Sequence, residues 1–209
     1  MVHSVAVGGG LPGHRSPSVG FEAPFEMLSA CHERVERMLA LLVKLRHHLS
    51  ENGWDTHASK AATDVIRYFD IAAPHHHLDE EMHVFPAVLA LHDTTLDALV
   101  LRLKQDHIEM EKTWIVVKQL LVSVVNADVN SWVAFNDADN GALDSFAAAY
   151  NEHINQEEWD VYPAAKLASS NDQLDAMSHE MMRRRGHSSV ASNHGIVPSR
   201  LGKHSSQIR

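Results

Sequence analysis

One phrase occurs twice in this chain. Residues 74–86 read PHHHLDEEMHVFP and residues 152–163 read EHINQEEWDVYP. Laid over one another by their shared endings, Val84-Phe85-Pro86 and Val161-Tyr162-Pro163, they set His76 opposite His153, Glu80 opposite Glu157 and Glu81 opposite Glu158, 77 residues apart. On a helix, residues i and i+4 share a face, about 40° apart around the axis and one turn along it. His76 with Glu80, and His153 with Glu157, then each aim an imidazole and a carboxylate at one point. The fold must bring the two copies together if they are to make one site.

The rest of the pattern supplies the helices to do so. FEMLSACHERVERMLALLVKLRHHLSEN places Phe25, Leu28, Val35, Leu39, Leu42 and Leu49 at helical steps, and Asn52-Gly53 reads as a stop. A second helix, capped by Asp55 or Thr56, runs to about His92 with a bend expected at Pro74. A third starts at a Thr94-Thr95 cap and ends near Asn126; its β-branched run IVVKQLLVSVV lies inside a longer helical period. The polar stretch NDADNG reads as a loop before a fourth helix over roughly 141–168, and Leu174, Met177, Met181 and Met182 mark a shorter one over Asn171–Arg185, covering the bundle's end. The prediction is an all-α, antiparallel four-helix bundle over 21–186 with a short extra C-terminal helix. Residues 1–20 and 187–209, rich in Gly, Ser and His, read as flexible tails.

Composition narrows the partners. The chain is 44% hydrophobic, enough for a sizeable core, and carries net charge -9. Six of its 18 basic residues and none of its 27 acidic ones lie at or beyond Arg183, so the preceding body is strongly acidic and repels nucleic-acid phosphates. No apolar run of about 18 residues is present to span a membrane, and the opening MVHSVAVGGGLPGHRSPSVG lacks the apolar core and basic lead of a secretory signal. A cytoplasmic location is expected. The lone Cys31 can form no intramolecular disulfide and reads as buried and inert.

Seventeen histidines are the compositional anomaly. Two of them, His32 in helix one and His107 in KQDHIEM of helix three, sit inside apolar stretches, with Leu28 and Val35, and Leu103 and Met110, on their own faces. Every long helix thus offers one inward histidine, and two offer a carboxylate that can bridge. A mixed nitrogen and oxygen set without thiolate suits non-haem iron. His47, His48, His57, His83 and His92 lack such partners and read as solvated or capping residues, and His75 and His77 as flanking groups. Phe85-Pro86 and Tyr162-Pro163 read as structural, ending or bending a turn.

The repeated H-x-x-x-E-E-x-x-V-[FY]-P phrase, with an upstream histidine on helix one and Asp106-His107 on helix three, resembles the hemerythrin-like (HHE) cation-binding domains over about residues 24–168. The resemblance implies a non-haem di-iron centre, two iron ions held by His32, His76, Glu80, His107, His153 and Glu157, with Glu80 and Glu157 bridging. His77 and Glu81 share the spacing of His76 and Glu80, but the second phrase has no counterpart of His77, which favours the first register. One departure stands out. Oxygen-carrying hemerythrins have a fifth histidine four residues after the helix-three ligand, where this chain has Glu111. Either Glu111 binds there or a coordination position is open. The expected function is a di-iron protein that binds or senses a diatomic gas, oxygen or nitric oxide, or handles iron, rather than an enzyme. Two alternatives are a di-iron oxidase, disfavoured because the E-x-x-H pattern of that class occurs once, at Glu80 to His83, and a zinc-holding regulatory bundle.

Overall fold

The computed structural model describes residue 20 and residues 22–186, so the two expected tails fall almost wholly outside the described residues. The described chain is helical with no strand: α1 (Pro24–Asn52), α2 (Thr56–Asp79), a π-helical turn π1 (Glu80–Val84), α3 (Phe85–Leu89), α4 (Thr94–Asn126), α5 (Asp137–Gln156), a second π turn π2 (Glu157–Val161), α6 (Tyr162–Ala168) and α7 (Asn171–Arg184). α1 packs on α2, α2 on α4, α4 on α5, and α5 back on α1, closing a four-membered bundle. None of these helices is long and apolar enough to cross a membrane.

Local chemistry sets the boundaries. Gly53 ends α1 at φ 76°, a backbone conformation that a Cβ disfavours, with its N–H on the Leu49 carbonyl. The Asp55 side chain caps α2 at Ala58 N, 2.7 Å away. Three expectations are corrected. α4 is capped by Asp93, which accepts from Thr95 N and Leu96 N, because its side chain is one residue better placed than the threonines. NDADNG is no loop: Asn136 and Asp139 form a reciprocal capping box, so α5 begins at Asp137. Finally, α2 runs through Pro74 uninterrupted, and the chain leaves α geometry at Glu80 instead.

That departure has a sequence cause, and it is repeated. Pro86 and Pro163 have no N–H to give the carbonyl four residues back, and the ring would press on it. The wider turn before each proline relieves this, with Phe85 N–H reaching the Glu80 carbonyl and Tyr162 N–H the Glu157 carbonyl, five residues back. Each π turn starts at the carboxylate the two phrases share.

The core is split in two. One apolar cluster contains Val35, Leu39, Ala73, Met110 and Tyr150; the other contains Leu28, Val84, Leu103, Val161 and Met181. His32, Glu80, His107 and Glu157 fall between members of these clusters on their respective helices, so a polar layer lies across the bundle with apolar layers on both sides. α7 closes one end through Met177 and Met181, as its Met stripe predicts, and is pinned by Arg184 and Arg185, each 2.5 Å from the fully buried Asp79 carboxylate.

Candidate metal centre

All six residues singled out by spacing, His32, His76, Glu80, His107, His153 and Glu157, are buried in that polar layer, and both glutamates are 0% exposed. Two overlapping groups can hold an ion: His32, His76, Glu80 and Glu157, and His107, His153 and Glu157, with donor atoms of each group within 4.8 Å of one another. The glutamates connect the groups. Glu80 Oε1 lies 3.2 Å from His76 Nε2 while its Oε2 lies 3.5 Å from His107 Nε2. Glu157 Oε2 lies 3.2 Å from His32 Nε2 while its Oε1 lies 3.1 Å from His153 Nε2.

The donors fit a metal pair better than one another. Two ligands about 2.1 Å from one ion at right angles stand about 3 Å apart, the spacing seen here, including 3.0 Å between His107 Nε2 and His153 Nε2. Yet Glu80 Oε2 and both carboxylate oxygens of Glu157 are buried without a hydrogen bond. They approach the imidazole nitrogens closely but out of line with them, as atoms do when they converge on a shared point. Unsatisfied buried carboxylate oxygens are costly, and cations placed between them would remove that cost.

Electrostatics show what balances the site otherwise. Burial opposes the charge on His32, but Glu157, Glu158 and Glu80 hold its pKa well above the ordinary imidazole value. His107, also opposed by burial, is held up to about 9 by Glu157 and Glu80, with Glu81 assisting. Glu157 is depressed well below the usual carboxylate range, because His107, His153 and His32 outweigh its burial. His76 is pushed down to about 4 because burial, with His32 and His107, outweighs Glu80 and Glu157. Without a metal, the raised pKa values of His32 and His107 favour their protonated forms beside these carboxylates.

Two of the outward nitrogens are hydrogen-bonded, while Nδ1 of His76 and of His153 are buried without a hydrogen bond. His32 Nδ1 donates to Glu158 Oε1 at 2.6 Å, and Ser29 Oγ donates to the other oxygen of that carboxylate at 2.9 Å. His107 Nδ1 donates to Glu81 Oε1 at 2.8 Å. Asp106 Oδ2 stands 3.5 Å from His153 Nδ1. These contacts put N–H outward and aim Nε2 inward. The sequence reading aligns Glu81 with Glu158, weighs Glu81 only as a ligand in an alternative register and notes Asp106 only beside His107; the role of these three outside the imidazoles comes from the structure.

Four further residues extend or correct their sequence readings. Tyr162 is no mere helix terminator: its hydroxyl donates to Glu80 Oε1, lies 3.3 Å from His32 Nε2, and its ring stacks on His32. Phe85, its counterpart in the first phrase, lies against His107 at 5.6 Å between centroids. His77 is buried and stacks on His107 at 4.0 Å, and burial, then His107 and His76, depress its pKa, so it is neutral. Glu111 is exposed and belongs to neither metal-capable group. The remaining histidines largely follow expectation: His47 pairs with Glu51, and His48 and His57 with Asp55, at the surface. His83 instead reaches Glu180 of α7 at 3.4 Å. Cys31 is buried, and burial pushes its thiol pKa up, consistent with an inert residue.

Residues 23–165 match the family model of the hemerythrin HHE cation-binding domain. The chain belongs to that family. A Haemophilus influenzae protein described as uncharacterised is similar to it, 28% identical over 162 residues, which is 78% of this chain and 90% of the relative. The matched region of this HHE domain contains α1 to α5 and the π turns and stops within α6, so α7 and its clamp on Asp79 are additions beyond the family match.

Proposed function

We propose that this HHE protein binds two iron ions and uses them to bind or sense a diatomic gas, oxygen or nitric oxide. The observation that carries the reading is the split of the two carboxylates: Glu80 turns Oε1 toward His32 and His76 and Oε2 toward His107, while Glu157 turns Oε2 toward His32 and Oε1 toward His107 and His153. Such a set suits two neighbouring cations bridged by carboxylates. His32 and His76 would hold one ion and His107 and His153 the other. Iron so held supplies a redox-active centre able to bind a diatomic molecule.

The surrounding residues support a small ligand over an organic substrate. A slot of about 30 Å³ enters between Glu111 and Trp114 and ends at His77 and Tyr150, room for about one water-sized molecule. A larger cleft of about 330 Å³ between α4 and α5 reaches His153. The cleft also contains Asp106, the residue facing the outward Nδ1, so it meets the imidazole on its outer side. Leu28, Val35, Leu103 and Met110 are buried above and below the polar layer and exclude water from it. The acidic body, and the lack of a membrane-crossing helix among the described residues, support neither nucleic acid nor a bilayer as partner.

The test is to purify the protein under iron supply, count metal per chain, and record visible spectra of the reduced form with and without oxygen and nitric oxide. Two irons and a gas-dependent spectral change are expected. A colourless protein carrying zinc under the same supply would replace this reading with the zinc-holding bundle.

A further inference from the structure

The four inward imidazoles are not held alike on their outer sides. His32 Nδ1 is bonded to Glu158 at 2.6 Å and His107 Nδ1 to Glu81 at 2.8 Å. Nδ1 of His76 and Nδ1 of His153 are buried with no hydrogen bond. Of these two residues, His153 lines the cleft of about 330 Å³ between α4 and α5, and His76 lines neither that cleft nor the slot beside Trp114. His153 is only 3% exposed. Its unpaired nitrogen faces Asp106, which stands in the cleft 3.5 Å away with a side chain 39% exposed. No other side chain is seen to hold Asp106 among the described residues.

The spacing of this pair and the charges around it suit a cation. Two ligands about 2.1 Å from one ion stand about 3.0 Å apart at right angles and about 3.4 Å apart at the tetrahedral angle. A carboxylate and an imidazole nitrogen 3.5 Å apart without a hydrogen bond are a pair that an ion can close. Glu109 and Glu152 also line the cleft, against one cation there, Arg102, which engages Gln156 and Glu152. Lys112 offsets Glu109 through an exposed pair at 2.9 Å. The remaining negative excess draws hydrated cations inward. Other approaches to the polar layer are closed. The slot beside Trp114 ends at His77 and Tyr150. A pocket behind His32, lined by Glu33 and Glu158, meets an imidazole already bonded to Glu158, which Ser29 holds in turn.

We propose that the α4–α5 cleft is a cation-entry site, where Asp106 and His153 Nδ1 take a divalent metal ion from solvent and His153 passes it to the position beside His107 and Glu157. The proposal rests on the reading that the polar layer holds two ions, and not on which metal they are. A neutral imidazole has one N–H and one lone pair. With its N–H toward Asp106, the lone pair of His153 points to the inner layer; with its N–H inward, the lone pair points to Asp106. His153 therefore serves one side at a time. The entry site empties as the inner position fills, adds nothing to the metal count at equilibrium, and acts on arrival and departure alike.

The test mixes the metal-free full chain with cobalt(II) in a stopped-flow spectrometer, follows the visible bands, and then follows release into excess chelator. The wild type should take up two ions. Asp106→Asn should slow both the uptake and the release of one of them about tenfold. Its affinity should change less than about threefold, since no hydrogen bond joins Asp106 to His153. Ala149→Trp keeps every charge and fills the cleft, and should slow both rates as well, with unchanged helicity. Glu33→Gln, at the pocket behind His32, should leave both rates as they are. Unchanged uptake in Asp106→Asn, with or without weaker binding at equilibrium, would reduce Asp106 to a residue that orients His153 and would overturn the proposal. Slowing by Glu33→Gln but not by Ala149→Trp would overturn it too, by putting entry on the His32 side. A chain that binds no cobalt at equilibrium fails one step earlier, at the polar layer itself, and the entry site falls with it.

Discussion

In the half of the polar layer formed by His32 and His76, the Tyr162 hydroxyl faces His32 and Glu80, and His32 is held from outside by Glu158. In the other half, formed by His107 and His153, His107 lies against Phe85, which has no hydroxyl; Glu81 holds His107 from outside, and His77 stacks on it. The backbone, including the π turns, repeats. So do the inward carboxylate and the outer glutamate. Among the aligned positions that differ, Phe85 against Tyr162 and His77 against Ile154 change what lies on the inward histidines. The repeat thus provides two similar groups able to hold an ion, and these differences make them chemically unequal: one gains a hydrogen-bond donor, the other a neutral aromatic cover.

The glutamates shared by both halves should give the largest effect. Glu157→Ala removes an oxygen from each ion position and is expected to lower bound metal from two ions to fewer than one per chain, by elemental analysis. His76→Ala, which touches one half, should leave about one. Two ions retained by Glu157→Ala would contradict the bridging role.

Next in size is the response of the metal-free protein to pH. His107 is held up to about 9, above its ordinary 6.5. A group raised on folding contributes stability that is complete below the unfolded value and is lost as pH rises through the folded one, here between about 6.5 and 9, with an amplitude up to about 3 kcal/mol. Glu157 has the opposite sign: its contribution is present above the ordinary carboxylate value and is lost as pH falls through its depressed one. Urea unfolding of the metal-free protein should therefore show highest stability in the mildly acidic range and a decline toward pH 9. Loading with metal should flatten that decline, since cations displace the proton. A metal-free protein equally stable at pH 6 and pH 9 would rule out the protonated His107.

The bundle and the six clustered residues were legible because both depend on periodicity: a helical repeat buries one face, and i,i+4 spacing puts His76 beside Glu80. The π turns were not, since their cause lies in a proline interacting with a carbonyl four residues back, which reads equally well as a helix end. His107 could be found as an inward imidazole, but its pKa could not, because that depends on carboxylates from two other helices. The outer glutamates escaped for a related reason. Glu81 lies one residue past Glu80, about 100° around the helix, and only the tertiary arrangement shows that this direction leads to a histidine on α4 rather than to solvent.

Those outer carboxylates give a medium-sized test of how alike the halves are. Glu158→Gln and Glu81→Gln each keep the shape of the side chain but remove the charge that orients an imidazole, and such changes commonly cost 10- to 100-fold in metal affinity. Glu158 is also held by Ser29, and no second holder of Glu81 is seen among the described residues. The expected order is a larger loss for Glu158→Gln, with competition against a chelator as the measurement. The reverse order would place the better organised half around His107.

The smallest expected effect isolates the asymmetry itself. Tyr162→Phe makes the second phrase end as the first does, removing the hydroxyl that donates to Glu80 Oε1 while keeping the ring on His32. Burial, together with Glu80 and Glu157, pushes the Tyr162 pKa well above the ordinary phenol value, so in the metal-free protein it is a neutral donor. Losing one such bond should cost about 1 kcal/mol of stability and make the two ion positions more alike. Stepwise metal titration reads the second consequence directly: two resolved binding steps in the wild type should move closer together in Tyr162→Phe. Phe85→Tyr places a hydroxyl in the other half and should shift the weaker step rather than the stronger one. If Tyr162→Phe leaves the separation of the two steps unchanged, the hydroxyl is not what distinguishes the halves, and the next difference to test is His77 against Ile154, the other one that lies on an inward histidine.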